Sequence, residues 1–167
     1  ISGNEKYRDA AVNAAKYFSA QFSKHGFIHR TFKNDVPKLN GYLDDYAYLS
    51  NSLVDVFEIT SDVYFLEMAQ KIANYMIEHF WNEDEKSFFF TADNHESLIV
   101  RPKNYYDLSV PSGNSVASNA LLKLYHLTHD EKLLKISEKI LESNGTSAAE
   151  NPFAFGYLLN VMNLYLN

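Results

Sequence analysis

The chain contains no cysteine among its 167 residues. It therefore has no disulfide, no thiol nucleophile and no cysteine metal site, and we expect a reducing, cytoplasmic compartment. No apolar run is long enough to span a bilayer, so no membrane association is predicted. No stretch clusters Lys and Arg, and the net charge is −6, which excludes the basic footprint that is typical of nucleic-acid binders.

Signals for a cofactor are also absent. The six histidines form no HExxH or other metal-ligand spacing, and the sequence has neither a Gly-rich phosphate loop nor a serine-elbow motif. His25 and His29 lie on either side of Gly26 in a stretch without helical periodicity, and we interpret them as ordinary loop histidines. We predict no metal and no cofactor.

Apolar and aromatic side chains, by contrast, are abundant. Hydrophobic residues make up 46% of the chain, which includes 12 Tyr and 12 Phe, and this length suffices for one domain with a sizeable core. Aromatics this numerous fill a bulky core or line a groove, and Tyr suits a wet cavity because its ring is apolar and its hydroxyl is polar. The chain begins at Ile1 rather than Met, and we interpret residues 1–167 as a single segment, a fragment of a longer protein.

An internal repeat organises much of the sequence. The segment LVDVFEITSDVYFLEMAQKI (53–72) aligns without a gap with LLKLYHLTHDEKLLKISEKI (121–140), at an offset of 68 residues. A weaker third copy of the second half lies at the N-terminus, where Asn4 falls on Asp62. Each full copy reads as a helix, a turn and a second helix, and Asp62 and Asp130 are suited to cap the second helix.

This periodicity predicts an all-α fold of consecutive helical hairpins, in which outer and inner helices alternate. The predicted helices span residues 5–22, 43–59, 63–79, 115–127, 131–143 and 153–166. Residues 27–32, 88–91 and 98–100 are β-type runs, and Asn94 and His95 predict a turn that joins the last two runs in a hairpin. Long loops therefore lie at one end of the array, where a repeat scaffold usually keeps its site.

The sequence PSGNS (111–115) opens one inner helix. Ser112 or Asn114 can cap that helix, Gly113 lets the backbone approach a ligand closely, and the N–H groups of the helix start can bind an anion or a polar ligand. A turn with a cap explains the same residues without any ligand, so both interpretations stay open.

Three aspartates are candidate catalytic carboxylates. Asp44 and Asp45 open the preceding inner helix, where neighbouring side chains point about 100° apart and cannot face a ligand in the same way. One can interact with the helix dipole, and the other can act as an acid, a base or a hydroxyl acceptor. A glycosidase needs two carboxylates roughly 5–9 Å apart, and Asp107 is a candidate second member. Purely structural roles are the alternative.

Charged and aromatic residues complete the candidate set. Arg101 can clamp a carboxylate or phosphate bidentately and Lys103 can act as a point charge, unless both are simply solvated. Tyr46, Tyr48 and Trp81 can stack on a sugar ring, although aromatics at helical spacing more often belong to the core.

In this order, GYLDDYAYL (41–49), FW (80–81), RPK (101–103) and VPSGNSVASNALLKL (110–124) resemble the C-terminal region of the thioredoxin-fused family that includes spermatogenesis-associated protein 20. The resemblance covers nearly the whole chain. It implies an (α/α)6 toroid of the six-hairpin glycosidase type, similar to that of the N-acylglucosamine 2-epimerases, of which this chain is about half. The catalytic histidines of the epimerases have no match here, so no epimerase chemistry is implied.

Two functions follow as expectations. The first is a six-hairpin glycosidase-like domain that binds a carbohydrate or small polar ligand at the long-loop end, or processes it as a hydrolase or isomerase. The second is a non-catalytic binding or regulatory scaffold in a thioredoxin-fused protein. The catalytic candidates are Asp44, Asp45 and Asp107, and the substrate-binding candidates are Tyr46, Arg101, Lys103, Ser112, Gly113 and Asn114. Because a half-toroid leaves apolar faces uncovered, we expect self-association or packing on the missing half.

Overall fold

The computed structural model describes residues 3–33, 36–95 and 99–167. Within these ranges the chain forms six α-helices, α1 Glu5–His25, α2 Leu43–Thr60, α3 Val63–His79, α4 Gly113–Thr128, α5 Glu131–Glu150 and α6 Gly156–Leu166. The predicted all-α architecture of consecutive hairpins is confirmed. Helix α5 continues beyond its predicted end at residue 143, because the side chain of Asn144 bonds back to the carbonyl of Ile140 at 2.9 Å and Ala148 is buried in the core.

Two small antiparallel hairpins occupy the long loops. Strand β1 (His29–Lys33) pairs with β2 (Val36–Asn40), and β3 (Trp81–Asn82) pairs with β4 (Ser87–Phe88).

The predicted hairpin between residues 88–91 and 98–100 is wrong. Phe88 pairs with Trp81, and the N–H of Phe90 donates to the carbonyl of Pro102 at 2.7 Å. These contacts hold the chain after β4 against residue 102 and leave residues 99 and 100 in a bend. Leu98, part of that prediction, lies outside the described residues.

The repeat is visible in the turns between paired helices. Thr60 and Thr128 each donate a side-chain hydrogen bond to the carbonyl four residues earlier, at 2.7 Å in both cases. The next residue of each turn adopts a left-handed backbone, with φ of 56° and 57°. Asp62 and Asp130 then accept a hydrogen bond from the N–H two residues later, at 3.1 and 2.9 Å. The predicted caps of α3 and α5 are thereby confirmed.

The helices form two layers. Helices α2, α4 and α6 lie side by side as the inner layer, and α3 and α5 pack outside α2 and α4. Repeat-equivalent positions of neighbouring inner helices meet: Asn119 donates to Asn51 at 2.8 Å, and Lys123 pairs with Asp55 at 2.5 Å. These helices are therefore parallel, and their N-termini share the long-loop end, here called the mouth. No helix in the described ranges combines the length and apolarity needed to cross a membrane.

Candidate functional site

Asp107 holds the starts of two inner helices together. Its Oδ1 accepts a hydrogen bond from the N–H of Ser112 at 2.8 Å, at the start of α4. Its Oδ2 accepts from the N–H groups of Tyr157 and Leu158 at 2.8 and 3.2 Å, in the first turn of α6. This carboxylate supplies α6 with a cap from a distant loop, since α6 has no capping side chain at its own first residue.

Asp45 and Tyr46 are also engaged within the protein. Oδ2 of Asp45 accepts a hydrogen bond from the N–H of Tyr42 at 2.9 Å, which closes the start of α2, and lies 3.6 Å from the guanidinium of Arg30. Tyr46 is only 1% exposed, and its hydroxyl accepts from the N–H of Ile28 at 3.0 Å. Burial raises the pKa of Tyr46 far above its ordinary value. Its position therefore places it in the core rather than against a ligand.

The PSGNS segment lies at the start of α4, as predicted, and one of its own side chains caps the helix. Ser112 is the N-cap, and its Oγ accepts from the N–H of Ser115 at 3.1 Å. Asn114 accepts from the N–H of Phe88 at 2.8 Å and donates to the carbonyls of Phe88 and Asn104, so it anchors β4 and the following loop. The turn-and-cap interpretation therefore accounts for Ser112, whereas Asn114 joins α4 to β4 and the loop that follows.

Arg101 and Lys103 brace the same loop. The guanidinium of Arg101 donates to the carbonyls of Thr91 and His79 and lies 4.0 Å from the ring centre of Phe89. Nζ of Lys103 lies 4.3 Å from the centre of the same Phe89 ring and 2.5 Å from a carboxylate oxygen of Glu85. Neither cation is simply solvated, and Lys103 also lines a cavity at the mouth.

Asp44 differs from the other candidates. Its Oδ1 is buried without a hydrogen-bond partner of normal geometry among the described residues. Burial raises the pKa of Asp44 above its ordinary value and the charge of Asp45 raises it further, whereas Arg30 and the Gly113 N–H act in the opposite direction. A Cβ at Gly113 would overlap Oδ1 of Asp44, so the glycine permits this close approach. Of the three aspartates, Asp44 alone keeps an unpaired buried oxygen.

Two cavities adjoin Asp44. The smaller has a volume of about 220 Å³. Its polar walls come from Asp44, Lys103, Asn104 and Ser112, and Tyr105 and Tyr106 supply its aromatic walls. The larger, about 520 Å³, runs between α1 and α2 and has mainly apolar walls, with charged groups at the mouth end. The structure thus brings Asp44, Lys103 and Ser112 together around one cavity.

Sequence reasoning missed two residues of this region. Asn104 contributes its carbonyl to Asn114 and lines the smaller cavity, and Arg30 pairs with Asp45 while it lies 5.0 Å from the ring centre of Tyr42. Asn104 stands beside the RPK motif, which was the available signal; Arg30 had none. Trp81, considered a sugar-stacking candidate, packs edge-on against Phe88.

Comparison with known proteins identifies the relatives of this chain. No protein-family profile matches it. Spermatogenesis-associated protein 20 from Rattus norvegicus is 29% identical over 139 residues. The Homo sapiens protein is 30% identical over 139 residues, which cover 77% of this chain. The chain belongs to the spermatogenesis-associated protein 20 family. It spans 18% of the length of each of these family members.

The fold also resembles that of a solved enzyme. The GH76 α-mannanase from Bacteroides thetaiotaomicron superposes on 87% of this chain and 39% of its own, with a TM-score of 0.66 and 20% sequence identity. The predicted segment of a six-hairpin, α/α-toroid glycosidase-like fold is confirmed for this family member. At this identity the likeness concerns the fold and carries no activity with it.

Removal of the Asp107 carboxylate tests its capping role. We expect Asp107→Ala to lower the free energy of unfolding by roughly 2–3 kcal/mol, because three backbone N–H groups lose a charged acceptor. Urea denaturation followed by circular dichroism measures the change. The exposed Asp9 on α1 provides the control, and Asp9→Ala should change the free energy by less than about 0.5 kcal/mol. Equal stability of the two variants would contradict the role.

Two glycines should respond to the same substitution with opposite signs. At Gly113 a Cβ would overlap Asp44 and lie 3.0 Å from Cγ and Cδ2 of Leu43, so Gly113→Ala should destabilise the fold by about 1–3 kcal/mol. Gly145 lies inside α5 with no neighbouring atom within 4 Å of such a Cβ, so Gly145→Ala should stabilise it by about 0.5–1 kcal/mol. Urea midpoints that shift in the same direction would contradict this geometry.

Proposed function

We propose that the mouth binds a carbohydrate or a similar polyol and that Asp44 accepts hydrogen bonds from its hydroxyl groups. The unpaired, buried Oδ1 of Asp44 is the observation that carries this proposal. A buried carboxylate oxygen without a partner is unfavourable, and such groups in folded proteins commonly serve a ligand or a reaction. Asp44 also lines the smaller cavity, where a sugar hydroxyl can donate to its carboxylate.

The smaller cavity supports a sugar as the ligand. Lys103, Asn104 and Ser112 place polar groups around Asp44, while Tyr105 and Tyr106 add aromatic surface to the same walls. Sugars combine hydroxyl groups with apolar C–H faces, and a site that mixes a few polar groups with aromatic rings matches both. The arrangement favours recognition of one sugar unit at the mouth.

The same site is also a candidate for hydrolysis of the bound sugar. A carboxyl group whose pKa is raised stays protonated to higher pH, which suits a general acid. The usual hydrolytic mechanism requires a second carboxylate that acts on the substrate. Asp45 and Asp107 instead bond to backbone N–H groups. This observation favours the second candidate function, a non-catalytic binding scaffold, unless another carboxylate joins the mouth.

Substitution of Asp44 by Asn tests the proposal with a nearly isosteric change. Oligosaccharides of α-linked mannose are the first probe, since the similar fold belongs to an α-mannanase, and a glycan array extends the search. We expect Asp44→Asn to weaken binding at least about tenfold in calorimetric titration, because a charged acceptor is lost. Asp9→Asn, on the exposed face of α1, should bind normally. Undiminished binding by Asp44→Asn would exclude this role.

The same variant should also change stability with pH. The raised pKa of Asp44 means that folding favours its protonated form. The stability linked to this proton is complete below the ordinary pKa and is lost as the pH rises through the folded-state pKa. Asn carries no charge and avoids that loss. We therefore expect Asp44→Asn to unfold at a higher urea concentration than the unmodified chain at pH 7, with the difference vanishing toward about pH 3. A less stable variant at pH 7 would indicate a structural role.

A further inference from the structure

We infer that the cavity between α1 and α2 holds another helix of the α2 type, the inner helix of a preceding repeat. This α1–α2 groove has a volume of about 520 Å³. Its apolar walls are Ala11, Ala14, Ala15 and Phe18 of α1 together with Leu49 and Val56 of α2. The inference concerns assembly of the fold and does not depend on the carbohydrate proposal.

A comparison of the outer helices α1 and α3 shows which face of α1 is uncovered. Both begin at a capped residue, Asn4 and Asp62, which sets an offset of 58 residues between them. The core-facing positions of α3 are at most 2% exposed: Phe65, Met68, Ala69, Ile72, Ala73 and Met76. At equivalent positions of α1, Tyr7 is 65% exposed and Phe18 is 40% exposed. Ala11 and Ala14 are exposed as well. Ala15, equivalent to Ala73, is only 6% exposed, but most of the helix face that α3 buries is open in α1.

The inner helices α2 and α4 show the matching half of the groove. At the offset of 68 residues, Tyr48, Leu49, Ser52 and Val56 correspond to Val116, Ala117, Ala120 and Leu124. The four residues of α4 are at most 1% exposed. Tyr48 and Ser52 of α2, in contrast, are exposed and Leu49 is only partly buried, whereas Val56 is buried like its counterpart Leu124. Both walls of the groove thus consist of positions that are covered elsewhere in the repeat.

Helix α2 itself identifies the occupant. It packs on both α3 and α4 and so lies against their equivalent positions. By repeat equivalence the α1–α2 groove fits a parallel, amphipathic helix of similar length, whose first turn lies at the mouth. The relatives are long enough to contain such a helix, because this chain spans only 18% of the rat and human proteins and matches 39% of the α-mannanase. Such continuation of a repeated interface is the rule in helical arrays.

A seated helix would also complete the mouth. Asp44, Asp45 and Arg30 line the mouth end of the α1–α2 groove. The first turn of an added helix would therefore face Asp44 from the side opposite α4 and could supply the further polar group that the described residues lack. The helix that fills the groove would thus also contribute residues to the site around Asp44.

The turn chemistry permits a direct test. A copy of residues 41–61, which contains α2 and its turn, is joined to Asn4 of the full chain, because Asn4 caps α1 as Asp62 caps α3. Since the chain has no cysteine, Ala14→Cys reports on the groove and Asn13→Cys, at an exposed position that does not line it, is the matched control. Maleimide labelling, followed by mass spectrometry, measures accessibility in the chain with and without the added copy.

We expect the added copy to slow labelling of Ala14→Cys about tenfold and to leave Asn13→Cys unchanged, because only the groove becomes covered. The added copy should also raise the thermal midpoint of the chain. A control copy that carries Leu53→Asp and Val54→Asp, two buried positions of α2, should give no protection. Labelling of Ala14→Cys that is unaffected by the copy, or slowed equally by the charged copy, would overturn the inference. Concentration-dependent protection in the unextended chain would assign the groove to a second copy and overturn it as well.

Discussion

Three inner helices begin at the same end of this array, and the N–H groups of their first turns have no partners within the helices. Loops cover that end, so side chains must supply acceptors that water would otherwise provide. Asp45 serves the start of α2, Ser112 serves the start of α4, and Asp107 serves both α4 and α6. The polar motifs of the sequence are explained largely by this requirement, and the long loops depend on it for their position.

Contacts between residues close in the sequence could be predicted from it, and contacts between distant residues could not. Apolar residues at helical spacing and an aspartate after each tight turn predicted the helices and the caps at Asp62 and Asp130, because those contacts span a few residues. The partners of Asp107 lie up to 51 residues away, and Asn114 reaches Phe88 across 26 residues. No local pattern records such contacts. For the same reason the sequence did not separate Asp44, Lys103 and Ser112, which line one cavity, from Tyr46, which lies in the core.

Asp44 differs from most of the polar residues around it. Asp45, Asp107 and Ser112 at the mouth bond to backbone N–H groups, whereas one oxygen of Asp44 is shielded and unpaired. Gly113 adds to the effect, since its missing side chain brings the start of α4 against that carboxylate. Nδ1 of His29, which lines the larger cavity together with Asp44, is likewise buried without a hydrogen-bond partner among the described residues. Unpaired buried polar groups of this kind are common at sites of ligand recognition.

Contacts between equivalent positions of a repeat impose a rule on its sequence. An asparagine amide both donates and accepts, so the Asn51–Asn119 contact can recur from unit to unit with the same residue in each. Towards α6 the pattern changes, because Asn119 also donates to the hydroxyl of Tyr157. Four residues further along, Asp55 meets Lys123. A charge pair cannot propagate in this way, because identical units would bring like charges together. Divergence between the repeats at this position is therefore a condition of their packing, and perfect symmetry would be selected against there.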